Sequence, residues 1–224
     1  MDKIIQISDC SKSFGSGRSI RKVLDCCSLS AGRNRLTAVI GRSGSGKTTL
    51  LNLIAGMLEA DEGIIEVDGV RLSELNRDQL ADYRSGKIGF VFQDFALLSD
   101  YTVRENICFA GDLLQIPYSE RFLNELLEKM ELSDLQDRYP DELSGGEKQK
   151  TAIARALLLK PALILADEPT GNLDRKSSAQ VFSLLKECSR LYHQSILMVT
   201  HDLSLARQAD DILLIEDGRI FPYE

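Results

Sequence analysis

The sequence predicts an α/β domain built on a mainly parallel sheet, with a block of helices inserted between two of its strands. Three observations carry that prediction. Short apolar runs rich in β-branched residues alternate with amphipathic helical patterns, the order that parallel strands joined by crossover helices require. Runs such as "RLTAVI", "ALILAD" and "SILMVT" are apolar at consecutive positions, as strands covered on both faces must be. From about Val103 to Leu159 the strand signal disappears and only helical spacing remains.

Taken in order, "KIIQIS" and "RLTAVI" read as strands, and the second runs through a glycine-rich turn into the helical pattern "KTTLLNLIAGML". "GIIEVDG" and "KIGFVFQ" are further strands, bracketed by glycines and separated by the polar, helical "LSELNRDQLADYR". The insert then holds "TVRENICFAGDLL", "SERFLNELLEKMEL" and "EKQKTAIARALLL", with Pro117 and Pro140 as breakers. Ser144 and Glu147 form an S-x-x-E capping box for the last of these, satisfying N–H groups of its first turn. That box explains neither Gly145 nor Gly146, because glycine in a first turn costs about 0.5–1 kcal/mol relative to alanine. Strands resume with "ALILAD" and "SILMVT", separated by a long helix that starts near Asp174, and "DILLIEDGRI" closes the chain as a terminal strand or hairpin.

A length of 224 residues suits one generous α/β domain or a domain with a small inserted subdomain. Hydrophobic residues at 43% and charged residues at 27% are ordinary for a soluble globular protein, so a sizeable core is expected. The net charge of −7 argues against nucleic acid as a partner, because binding a phosphate backbone needs a clustered basic face. The five cysteines, Cys10, Cys26, Cys27, Cys108 and Cys188, are odd in number and show no C-x-x-C spacing, so they read as reduced thiols. The N-terminal residues carry no signal-peptide pattern. The longest apolar stretch, "ALLLKPALILA", is broken by Lys160 and Pro161 and falls short of the roughly 20 residues of a membrane span. A membrane role therefore has to come through a partner.

The chemistry begins with "GRSGSGKT", Gly41 to Thr48, which fits G-x-x-x-x-G-K-[ST] between a strand and a helix. Gly41, Arg42, Ser43, Gly44, Ser45, Gly46, Lys47 and Thr48, with Thr49 beside them, are expected to cradle phosphates. Glycines let consecutive N–H groups converge on phosphate oxygens, and the helix N-terminus adds roughly half a positive charge. Lys47 can reach the β- and γ-phosphates, and Thr48 offers its hydroxyl to Mg²⁺. "ALILADEP" ends an apolar strand in two carboxylates, expected to face a crevice at the sheet's carboxyl end. Asp167 is read as the Mg²⁺ ligand, directly or through water, and Glu168 as the group that polarises the attacking water. Gln93, at the end of "IGFVFQ", could reach both metal and water, although taken alone it reads as a surface residue. His201 after "SILMVT" could hydrogen-bond a γ-phosphate or simply cap. His193 reads as an ordinary polar residue.

With "GRSGSGKT", "FQ", "LSGGE", "ILADEP", "GNLD" and "TH" in that order, the chain resembles the nucleotide-binding subunit of ATP-binding cassette transporters over essentially its whole length. The resemblance implies a phosphate-loop NTPase core of RecA type with an N-terminal antiparallel β-subdomain, over residues 1–93 and 160–224. A helical subdomain over approximately 94–159 would carry the signature, Leu143 to Glu147. ATP and Mg²⁺ are the implied cofactors, with Gln93 as the Q-loop, Asp167 as metal ligand and Glu168 as catalytic carboxylate. Gly171 to Asp174 match the D-loop and His201 the switch histidine. Phe14 stands where the family places an aromatic that stacks on adenine, edge packing being its alternative. Two such domains are implied to close head to tail, so that Ser144, Gly145 and Gly146 meet ATP bound to a second copy, and Asp174 of the D-loop is implied to be nucleotide-binding. The other implied partner is an integral membrane permease, which would hold the chain at the cytoplasmic face of the cell membrane.

Within the family, "ADEPTGNLD" with "FQDFALLSDYTVRENI" resembles the branch that serves macrolide export, lipoprotein release, bacterial cell division and bacitracin-type detoxification, peptide-antibiotic resistance or export being the first expectation. The apolar, turn-rich "DFALLSDYTVRENI" is expected to be the docking groove for the permease, with subdomain core as the alternative. Arg42 stands where a proline is frequent, Thr48 for serine, and Lys150 and Thr151 for arginine and valine. Lys150 lacks the planar fork of arginine, which leaves its pairing open. The rival reading is a non-transport cassette ATPase of repair, chromosome or translation control, whose usual coiled coil or second cassette has no room here.

Overall fold

A computed structural model describes residues 2–15 and 19–223. Its central sheet takes β3 (Leu36–Ile40), β6 (Ile88–Val91), β7 (Leu163–Asp167), β8 (Ser195–Thr200), β9 (Asp211–Glu216) and β10 (Arg219–Pro222), in the order β10-β9-β3-β8-β7-β6. All neighbours are parallel except β10, which returns antiparallel to β9 as a terminal hairpin. Every residue of β3 and β8 is buried, as their unbroken apolar runs require. Alternate side chains serve two cores. Leu36, Ala38, Ile164, Ala166, Ile196 and Met198 face one core, and Val39, Leu163, Leu165, Leu197 and Val199 the other.

The first core is roofed by the insert between β6 and β7, which contains α3 (Val103–Leu114), α4 (Glu120–Lys129) and α5 (Gly145–Leu158), and by α6 (Arg175–Leu191). Local chemistry sets the helix starts. Thr102 and Glu105 form one capping box, and Ser144 and Glu147 form another, with the Ser144 N–H and hydroxyl each donating to Glu147 Oε2 at 2.7 Å.

The second core lies between the central sheet, α1 (Lys47–Ile54) and an antiparallel sheet of β1 (Lys3–Phe14), β2 (Arg21–Gly32), β4 (Glu62–Val67) and β5 (Val70–Arg71). β2 escapes a search for apolar runs because its buried residues are spaced by serines: Cys27, Leu29 and Ala31 point in, and Ser28 and Ser30 point out. β1 extends beyond "KIIQIS" to Phe14, with register shifts around Asp9, whose φ is 50°. α1 stops at Ile54, short of the expected Leu58, because the chain turns at Gly56 and the Gly56 N–H donates to the Leu53 carbonyl. α2 (Arg77–Lys87) occupies the polar segment read as helical, and a single-turn α7 (Leu203–Ala206) follows β8. All five cysteines are unbridged.

Candidate active site

The parallel register aligns the carboxyl ends of β3, β7 and β8, pairing Ile40 with Thr200 and Asp167 with Val199. Everything that follows those three strands therefore opens on one crevice. The phosphate loop leaves β3 and enters α1, whose N-cap is Gly46 at φ 104°, a backbone setting that favours glycine, with no side-chain cap. The first-turn N–H groups therefore lack a side-chain acceptor and face a cavity of about 650 Å³. That cavity is lined by Ser43, Gly44, Gly46, Lys47, Thr48 and Thr49 from the loop, together with Phe14, Gln93, Asp167, Glu168 and His201. Gly41, Arg42 and Ser45 line an adjoining cleft of about 1100 Å³. The Ser45 hydroxyl is buried without a hydrogen-bond partner, 2.7 Å from where a Cβ on Gly41 would stand.

Lys47 is buried, and its ammonium donates to the carbonyls of Gly41 at 2.9 Å and Arg42 at 3.1 Å. It also stands 3.6 Å from Glu168 Oε1. The second carboxylate oxygen of Glu168 lies 2.7 Å from His201 Nδ1 and accepts the His201 backbone N–H at 3.2 Å. Glu168 has a φ of 45°, outside the usual range for a side-chain-bearing residue, held by its N–H to the Val199 carbonyl and by the Gly171 N–H to its own carbonyl. The lysine, glutamate and exposed histidine thus form one line across the cavity. Thr48 donates its hydroxyl to Asp167 Oδ1 at 3.3 Å. Burial pushes the Asp167 carboxyl above its ordinary range, the Thr48 hydrogen bond opposing it, the Glu168 charge adding to it and the Lys47 charge opposing it. A hydroxyl beside a partly desolvated carboxylate is an oxygen donor pair suited to a hard cation. Among the described residues no group of three or more His, Cys, Asp or Glu could hold a metal by itself, so a cation here would share its shell with phosphates and water.

Gln93 lies just past the end of β6, in a turn, rather than closing the strand as expected. Its amide donates to Asn172 Oδ1 at 3.3 Å while Asn172 Nδ2 donates to the Gln93 carbonyl at 3.0 Å. Sequence reasoning missed Asn172 in this pairing, and missed Arg21 and Val23 of β2 among the cavity's lining. The alternation in "CSLSA" was the signal that would have found that strand.

Ser144, Gly145 and Gly146 do not line the cavity. They open α5, where a Cβ on Gly145 would come within 3.1 Å of the Leu173 side chain, whereas one on Gly146 would make only ordinary contact with Ser177 at 3.7 Å. Asp174 caps α6, accepting the N–H groups of Lys176 and Ser177 and the Ser177 hydroxyl. It too stands apart from the phosphate loop of its own chain. Lys150 pairs with Glu131, and the Thr151 hydroxyl, buried in α5, donates to the Glu147 carbonyl at 2.8 Å.

The model of the ABC transporter family matches residues 24–171. The macrolide export ATP-binding/permease protein MacB of Aggregatibacter actinomycetemcomitans is 42% identical over 97% of this chain, which spans only 34% of that protein's length. The lipoprotein-releasing system ATP-binding protein LolD 2 of Chlorobaculum tepidum is 44% identical over 91% of this chain and 85% of its own. Among solved structures, a dimeric ATP-binding cassette in a post-hydrolysis state with ADP and Pi superposes with a TM-score of 0.87 at 33% identity, covering 98% of this chain and 97% of that one.

Proposed function

This chain belongs to the ABC transporter family as an ATP-binding subunit with ATPase chemistry, and from that premise we propose that it drives a separate membrane permease. The observation that carries the mechanism is the line Lys47–Glu168–His201 across a cavity floored by uncapped N–H groups. In this reading the γ-phosphate draws Lys47 away from the carbonyls it now satisfies. Glu168 orients and deprotonates the attacking water, and His201 steadies both the carboxylate and the transferring group. Phosphoryl transfer asks mainly for positioning and charge stabilisation, which these groups supply from fixed positions. Thr48, Asp167 and Gln93 would hold Mg²⁺, which when bound neutralises charge on the β- and γ-phosphates. Phe14, partly exposed on the cavity's other wall, offers its ring to adenine.

Ser144, Gly145, Gly146 and Asp174 have no place in the site of their own chain, which supports their acting on ATP bound to a second copy in a head-to-tail pair. No helix among the described residues is long and apolar enough to cross a membrane, so the permease would hold the chain at the cytoplasmic face. Its docking surface is the segment after Gln93, where Tyr101 is exposed and packs edge-on against Phe109 at 5.5 Å. The macrolide export and lipoprotein release named for the relatives favour a cargo of antibiotics or lipoproteins.

The test is Glu168→Gln, which should lower turnover by roughly 10²- to 10⁴-fold while ATP binding persists and an ATP-dependent dimer accumulates in size-exclusion chromatography. Wild-type turnover in that variant would remove Glu168 from its role.

A further inference from the structure

One cation at the rim of the nucleotide cavity takes no part in the mechanism above. Arg21 opens β2 directly opposite Phe14 in the β1–β2 register, and it lines both the 650 Å³ cavity and the adjoining cleft. Its guanidinium reaches toward the middle of the phosphate loop, with Nη2 3.9 Å from where a Cβ on Gly44 would stand. The neighbouring bases point elsewhere: Lys22 and Arg219 both pair with Asp25. Arg21 and Lys47 thus approach the same loop from different elements, one from the antiparallel sheet and the other from α1.

We infer that Arg21 is a second phosphate-binding residue, closing over the polyphosphate of ATP from the side opposite the loop's N–H groups. The inference rests on the reading of this cavity as the ATP site. A guanidinium fork matches two phosphate oxygens at once, where an ammonium offers a point charge. Within one chain the donors of the phosphate loop reach the polyphosphate from their own side, so the oxygens they do not reach are left for Arg21, for water and for the second copy's Ser144, Gly145 and Gly146. Its pairing with Phe14 places the adenine contact and the phosphate contact on adjacent strands, so one hairpin sets the distance between the two ends of the nucleotide.

Calorimetric titration of the full chain with MgATP and MgADP tests this. Arg21→Ala should weaken both by about 10- to 100-fold, the loss expected for a charge-assisted hydrogen bond. It should also reduce the salt dependence of binding and raise KM for ATP far more than it lowers kcat. Arg21→Lys should recover only part of the affinity. Arg21 is exposed, so the unfolding midpoint should hold; if alanine lowers it, Arg21→Gln makes the same measurement with a longer polar side chain. Lys47→Ala separates the two failures. Lost binding in Lys47→Ala beside wild-type affinity in Arg21→Ala would overturn the role of Arg21 and leave the ATP site standing. Wild-type affinity in both would bring down the ATP-site reading with it.

Discussion

Asp167 and Glu168 are adjacent in the chain yet their environments differ in kind. Glu168 is fixed by contacts to Lys47 and His201 on either side of its carboxylate, whereas burial pushes the Asp167 carboxyl up. An acid whose folded form holds its proton to higher pH than the unfolded chain loses stability as pH rises above the ordinary value of about 4 and through its raised one. Asp167→Asn removes that charge while keeping the shape. It should raise the melting temperature of the nucleotide-free protein at pH 7 and flatten its decline above pH 4. The same variant should lose most Mg²⁺-dependent turnover. An unchanged melting profile, followed by calorimetry from pH 4 to 8, would mean that the carboxylate is not strained by burial.

At the scale of elements, two clamps hold the scaffold of the site. Arg155 of α5 donates to the carbonyls of Ala96 at 2.6 Å and Phe95 at 2.9 Å, two consecutive residues with positive φ in the turn after Gln93. The helix capped by Ser144 therefore fixes the conformation of the segment proposed above for permease docking. Arg155→Met leaves both carbonyls without that donor and should cost about 2–3 kcal/mol in urea unfolding; a loss under about 0.5 kcal/mol would show that the turn holds itself. Asp68, in the β4–β5 turn, accepts from Arg33 and Lys87 at 2.5 Å each, joining that turn to β2–β3 and to α2. Burial raises its pKa, but Lys87 and Arg33 outweigh burial and bring it below the ordinary range. A depressed carboxylate stabilises the fold above the unfolded pKa and stops doing so as pH falls through its folded one. Asp68→Asn keeps the left-handed backbone that asparagine tolerates. It should cost about 1–2 kcal/mol at pH 7, shrinking toward zero below about pH 4. A loss independent of pH would assign the effect to packing instead. The Lys150–Glu131 pair, with Glu131 largely exposed, should contribute under about 1 kcal/mol.

At the scale of the molecule, the two glycines that open α5 separate fold from function. Within the chain Gly145 is crowded by Leu173, which supplies a packing reason for its missing side chain, but Gly146 has room for a methyl group. Alanine at 146 should therefore keep or slightly raise stability, by up to about 1 kcal/mol. If a second copy's ATP must approach this backbone, Gly146→Ala placed in the Glu168→Gln background should abolish the ATP-dependent dimer. A dimer of wild-type affinity, measured by analytical ultracentrifugation, would leave Gly146 without that role.

What the sequence determined by itself is local. The phosphate loop, the capping box at Ser144 and the strands buried on both faces are written in contiguous residues, because backbone geometry and neighbouring side chains suffice to specify them. β2 was hidden because outward-facing serines interrupt its buried Cys27, Leu29 and Ala31, and the end of α1 because Gly56 turns the chain inside an apolar run. Only the tertiary structure decided that His201 meets Glu168 across 33 positions, that Thr48 meets Asp167 across 119, and that Arg21 overhangs Gly44. The reason is register: parallel pairing of β3, β8 and β7 levels their carboxyl ends, and no local propensity encodes which strand lies beside which.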